Sequence, residues 1–126
     1  MAPLVPRTRK AHAAQPVVEL ARARSARRLR ELQARCQAVD EMNRKSLVRL
    51  FQSGLVFTRQ GARLGRDLLL AHQHLLRVSD LLARIAEVND AASGGETASL
   101  YDEAQGLLAR TAELTARTGL VLARGQ

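Results

Sequence analysis

Apolar residues recur at steps of three and four almost without a break from Leu29 to Ile85. The later part reads Leu47, Leu50, Gly54, Phe57, Gly61, Leu64, Leu68, Ala71, Leu75, Val78, Leu82, Ile85. These are two interleaved positions of a seven-residue repeat, the seam along which one helix packs on another. The spacing predicts one long helix reaching about Asp90. Pro16 suits its first position, and Glu19 in the first turn suits the positive end of the dipole. Glu31 and Arg35, Asp40 and Arg44, Glu41 and Lys45, and Asp80 and Arg84 are acid-before-base pairs four residues apart, which favour helix over loop.

The stretch Ala92-Ser93-Gly94-Gly95-Glu96 breaks the pattern as a turn. A second helix follows, with Thr97 or Ser99 as its cap, and runs to about Ala123 before Gly125. Its seam is Leu100, Leu107, Leu114 and Val121, with Ala104, Thr111 and Thr118 between. Folded back antiparallel, Leu100 falls near Asn89, Leu107 near Leu82, Leu114 near Leu75 and Val121 near Leu68. The expected fold is therefore all-α, a long N-terminal helix with a shorter antiparallel return helix as a helical hairpin or coiled coil. Residues 1–15, with Pro3, Pro6 and several basic side chains, read as a disordered basic arm ahead of a single domain at 16–126.

The return helix is too short to cover the whole seam. Leu29, Leu32, Cys36, Val39, Leu47, Leu50, Gly54, Phe57, Gly61 and Leu64 are left as a seam for a partner or a second copy. Inside a helix Gly54, Gly61 and Gly65 each cost about 1 kcal/mol against alanine, so they demand a reason. One is a bend near Ser53-Gly54 that makes a three-helix bundle. The other is close approach of two chains at small residues. The repeat keeps phase straight through the glycines, which favours a continuous helix, with the bundle as the alternative. Asn43 lies on the seam where the phase relaxes through two successive steps of four, and a polar residue there fixes register. Leu69, Leu70, Leu76 and Leu81 point away from the stripe, which predicts burial on several sides, by a dimer or a client.

Composition narrows this picture without changing it. Ala and Leu contribute 21 residues each and Arg 18, against 3 Pro and 3 aromatics, so helix formers dominate. At 126 residues there is room for one domain with a modest core. The longest apolar run, Leu68 to Ala71, is far short of a membrane span, and Met1 to Gln15 holds no apolar block of signal-peptide length. Cys36 is the only cysteine, which rules out an intrachain disulfide and a thiolate cluster. It reads as a small seam hydrophobe, and a cytoplasmic location is expected.

Charge adds a second feature. Residues 1–66 carry 15 basic and 4 acidic side chains, a net of +11, whereas residues 67–126 carry 5 and 8, a net of −3. Arg22, Arg24, Arg27, Arg28 and Arg30 form a cationic face opposite the seam, suited to an acidic partner or to phosphates. No aromatic lies near them for base stacking and no DNA-binding motif accompanies them. An anionic membrane is disfavoured because residues 17–40 lack aromatic anchors.

No catalytic, metal-binding or cofactor-binding constellation emerges. His72 and His74 are two apart on a helix and face different sides, so they cannot share a metal. The expected function is a non-catalytic helical protein–protein interaction module, an adaptor, chaperone-like or assembly-scaffold subunit. It would act by coiled-coil docking on a second copy or a helical client. The alternative is a small basic nucleoid-associated oligomer that binds nucleic acid through the arginines.

Overall fold

Three helices pack into one bundle. The computed structural model describes residues 4–90 and 94–124, with side-chain surroundings given from Val17 onward except at Val18 and residues 90–96. Helix α1 spans Leu4–Gln52, a short 3-10 turn spans Leu55–Phe57, α2 spans Arg59–Asp90 and α3 spans Gly94–Arg124. The described residues are all-α. Helix α1 starts ahead of the expected Pro16, with Pro6 near its first turn, where a missing N–H is no loss. The side chains of the expected arm, residues 1–15, lie outside the described residues, as does the turn at Ala92 and Ser93. Gly94 and Gly95, expected in that turn, belong to α3.

The continuous helix is corrected. Gly54 adopts φ 75, a left-handed conformation that only glycine takes at little cost, and it ends α1. The Ser53 hydroxyl donates to the Leu50 carbonyl at 3.0 Å. Thr58 is extended and caps α2, its Oγ1 accepting from the Gly61 N–H at 2.9 Å while donating to the Leu55 carbonyl at 2.6 Å. Chain reversal at this corner gives the three-helix bundle rather than a single rod.

With α1 and α2 antiparallel, the apolar stripe meets itself. Leu32, Cys36 and Val39 pack with Leu75, Val78, Leu81, Leu82 and Ile85 of α2 and with Tyr101, Ala104 and Leu108 of α3. Nearer the corner, Leu50, Leu64, Leu68 and Leu122 make a second cluster, flanked by Leu47, Leu55, Val56 and Val121. The α2–α3 hairpin has the expected register: the Asn89 amide reaches the Tyr101 hydroxyl at 3.5 Å, and Leu122 packs with Leu68. The deepest face of α3 is rotated by about one residue from the expected seam. Leu100, Leu107, Leu114 and Val121 are half-buried, while Tyr101, Leu108, Thr115 and Leu122 are buried, because α3 must face α1 as well as α2.

Between the two apolar clusters lies a polar layer of Asn43, Thr111, Thr115 and Thr118, all buried. Thr111 and Thr118 donate to the carbonyls of Leu107 and Leu114 one turn back. Asn43 is 1% exposed and its amide donates to the Leu68 carbonyl at 3.1 Å. The register role expected of Asn43 is thus played inside one chain, between α1 and α2. Its Oδ1 and the Thr115 hydroxyl are buried without a protein partner.

Candidate functional site

The residues expected to form a partner seam are mostly used up by the bundle. Leu32, Cys36, Val39, Leu50, Gly61 and Leu64 are buried, and Leu29 and Leu47 are half-buried. The six buried residues have little surface left for a second chain. Gly54 and Phe57, placed on the seam by spacing, are exposed instead, because they sit in the chain reversal and not on a helix flank. Gly61 does serve close approach, but to the Leu55–Val56 backbone of the same chain. Leu81, expected on an outer face, is buried in the core, whereas Leu69, Leu70 and Leu76 remain exposed.

The basic face survives in large part, and its setting is more exposed than the sequence implied. Helix α1 has 49 residues and α2 has 32, so at ~1.5 Å per residue α1 is about 25 Å longer. The bundle begins near Ser25, whose carbonyl accepts from the Tyr101 hydroxyl at 3.0 Å. Before it, Val17 and every residue from Glu19 to Arg24 are exposed, so α1 projects beyond its neighbours. Arg22, Arg24, Arg27 and Arg30 are exposed and form no ion pair among the described residues. Arg28 differs: its guanidinium lies 4.2 Å above the Tyr101 ring and donates to Gln105 at 3.2 Å, so it anchors the projection to the bundle. Of the four expected i,i+4 pairs, only Asp40–Arg44 closes among the described residues, at 3.0 Å.

A groove of about 440 Å³ runs between α1 and α2. Gln33, Gln37, Asp40, Arg44, His72 and Ser79 line it, together with Cys36. Burial pushes the Cys36 thiol up from its ordinary value; the Ser79 hydrogen bond opposes this and the Asp40 charge adds to it. The thiol is therefore protonated and a poor nucleophile at neutral pH. Because the folded value is the raised one, this thiol favours the fold below the ordinary thiol range. As pH climbs through that range the unfolded chain ionises first and the contribution is lost. A thiol-reactive dye at neutral pH is expected to label the native protein much more slowly than the urea-unfolded chain. Equal rates would place Cys36 outside the core.

Among the described residues no group of three or more His, Cys, Asp or Glu side chains is placed to hold a metal ion. His72 lines the groove, while the buried Nδ1 of His74 has no partner. No described helix is long and apolar enough to cross a membrane.

A second concentration of charge lies beyond Arg22 to Arg30. From Met42 to Arg66 there is no acidic residue, yet Arg44, Lys45, Arg49, Arg59, Arg63 and Arg66 all fall there. Gaps between acids, rather than clusters of bases, were the signal in the sequence. A scan against protein-family models, a search of curated proteins and a search of solved structures each found no match.

Proposed function

We propose that this protein is a non-catalytic helical interaction module of the cytoplasm, an adaptor-like or scaffold-like subunit whose working surface is the projecting part of α1. One observation carries this reading: α1 outlasts its packing partners, and the exposed projection leads into unpaired Arg22, Arg24, Arg27 and Arg30. A helix exposed all round gains nothing from a core, so its persistence beyond the bundle points to an external contact. The partner is an acidic protein, steered by the guanidinium groups and gripped along the helix. Burial of the seam turns the docking mode from coiled-coil pairing to charge-led capture. The same arginines would serve phosphates, with nucleic acid as the second reading.

The test is fluorescence anisotropy with a polyglutamate peptide and, separately, with a mixed-sequence DNA duplex, each from low to physiological salt. Reversal of Arg22, Arg24, Arg27 and Arg30 to glutamate is expected to slow association with polyglutamate on the order of 10- to 100-fold. Unchanged binding removes the projection as the working surface. Tighter binding to DNA, with a steep salt dependence lost in the same variant, transfers the function to nucleic acid.

A further inference from the structure

The opposite end of the bundle carries a separate surface. Both phenylalanines of the chain lie at the α1–α2 corner: Phe57 is 92% exposed in the 3-10 turn, and Phe51 is 64% exposed on the last turn of α1. Val48, one turn before, is exposed as well. An aromatic side chain held almost wholly in water at a helix corner contributes nothing to the core, and two of them beside an exposed valine are not scattered singly.

The surroundings are cationic throughout. Arg49 lies in the last turn of α1, Arg59 opens α2 with Arg63 one turn on, and Arg124 ends α3 at the same end of the bundle, where Leu122 packs with Leu64. Arg49 and Arg124 suit the negative ends of their helices. Arg59 and Arg63 do not: they stand at the positive end of α2, whose first turn holds no acid. Their placement costs the fold a little and strengthens the field offered to an anion. Beside the corner, a cavity of about 360 Å³ is lined by Leu55, Leu64 and Val121 with Gln60 and Arg124, which sets apolar surface next to a guanidinium.

We infer that this corner docks on an anionic phospholipid surface, Phe57 entering the acyl boundary while Arg49, Arg59, Arg63 and Arg124 meet headgroup phosphates. Aromatic residues flanked by basic ones match an interface that is apolar a few ångströms below a layer of negative charge. The alternatives fit less well. A second copy would bring like charges together. A stable protein interface needs about 800 Å² on each partner, more than a turn of chain presents. Single-stranded nucleic acid is bound along a basic groove lined with stacking platforms, whereas Phe57 stands at an apex. The expectation against a membrane rested on residues 17–40; the aromatic anchors lie at the other end of the molecule.

The experiment uses the full chain with vesicles of phosphatidylcholine alone or mixed with phosphatidylglycerol. Phe57→Trp supplies the only tryptophan in the sequence, and its emission is expected to move to shorter wavelength with the anionic vesicles only. In co-sedimentation, Phe57→Ala is expected to weaken binding by about tenfold or more. Each of Arg59→Glu and Arg63→Glu should weaken it by about fivefold or more. All these positions are exposed, and unchanged helical circular dichroism checks the fold. Charge reversal at Arg22, Arg24, Arg27 and Arg30 should leave the emission shift in place, which separates this surface from the projection. No vesicle binding overturns the proposal. So does binding that Phe57→Ala leaves intact, or an emission shift that follows the projection rather than the corner arginines. Binding of a single-stranded oligonucleotide, or self-association, that Phe57→Ala abolishes while vesicles are ignored overturns it as well.

Discussion

Gly61→Ala is expected to lower stability by about 2–3 kcal/mol. For a domain of this size that is a fall in melting temperature of roughly 8–11 °C. A Cβ at this position overlaps the carbonyl carbon and oxygen of Leu55 and comes within 2.9 Å of the Val56 nitrogen. These are backbone atoms of the corner, so no rotamer change relieves the clash, and the 3-10 turn must shift away from α2. That displacement also disturbs the Thr58 cap, which bonds both Leu55 and Gly61. Gly106→Ala is the matched control. A Cβ there meets nothing within 4 Å, so the same exchange removes backbone freedom from the unfolded chain and should stabilise α3 by about 0.5–1 kcal/mol. Thermal unfolding by circular dichroism reads both. If Gly61→Ala also raises the melting temperature, the corner is absent and the straight helix returns.

The second large effect is expected at Leu81. Its side chain is 0% exposed, in the core cluster built from all three helices, and Leu81→Ala should cost about 2–5 kcal/mol. This is a large share of the about 5–15 kcal/mol that holds a typical domain folded. Leu76, on the same helix but 54% exposed, should tolerate alanine within about 0.5 kcal/mol. Urea titration of the two variants checks the contrast. Equal losses would mean that a second chain covers Leu76, as the reading of a dimer through that face requires.

Much of the fold was legible because helix packing leaves a periodic trace. The α2–α3 hairpin could be read with its register, since a Gly-rich break separates two stripes that match when folded back. The α1–α2 reversal was hidden by a numerical coincidence. Leu50 and Leu64, the last buried apolar position before the corner and the first after it, are two heptads apart, so the repeat passes through the reversal without losing phase. Thr58 was the local clue. Threonine is a favoured N-cap, but inside an apparently unbroken stripe it reads as one more helical position. The site was legible only in its charges. Arg22, Arg24, Arg27 and Arg30 kept the exposure that their spacing implies. Arg28 is exposed too but is held by Tyr101 and Gln105, which are remote in sequence, and local periodicity carries no trace of them.

Helix α1 also settles how the molecule carries load. It is one unbroken helix from Leu4 to Gln52, exposed from Glu19 to Arg24 and embedded from Leu32 to Leu50. A pull along its axis on the exposed part tries to slide α1 past α2 and α3. Such sliding strains Leu32, Cys36, Val39 and Leu50 in parallel, and not one after another as in peeling. The bond from Asn43 to the Leu68 carbonyl lies midway along this contact and acts as a latch against the slip. Tension on the projecting arm is therefore met in shear by the length of the bundle.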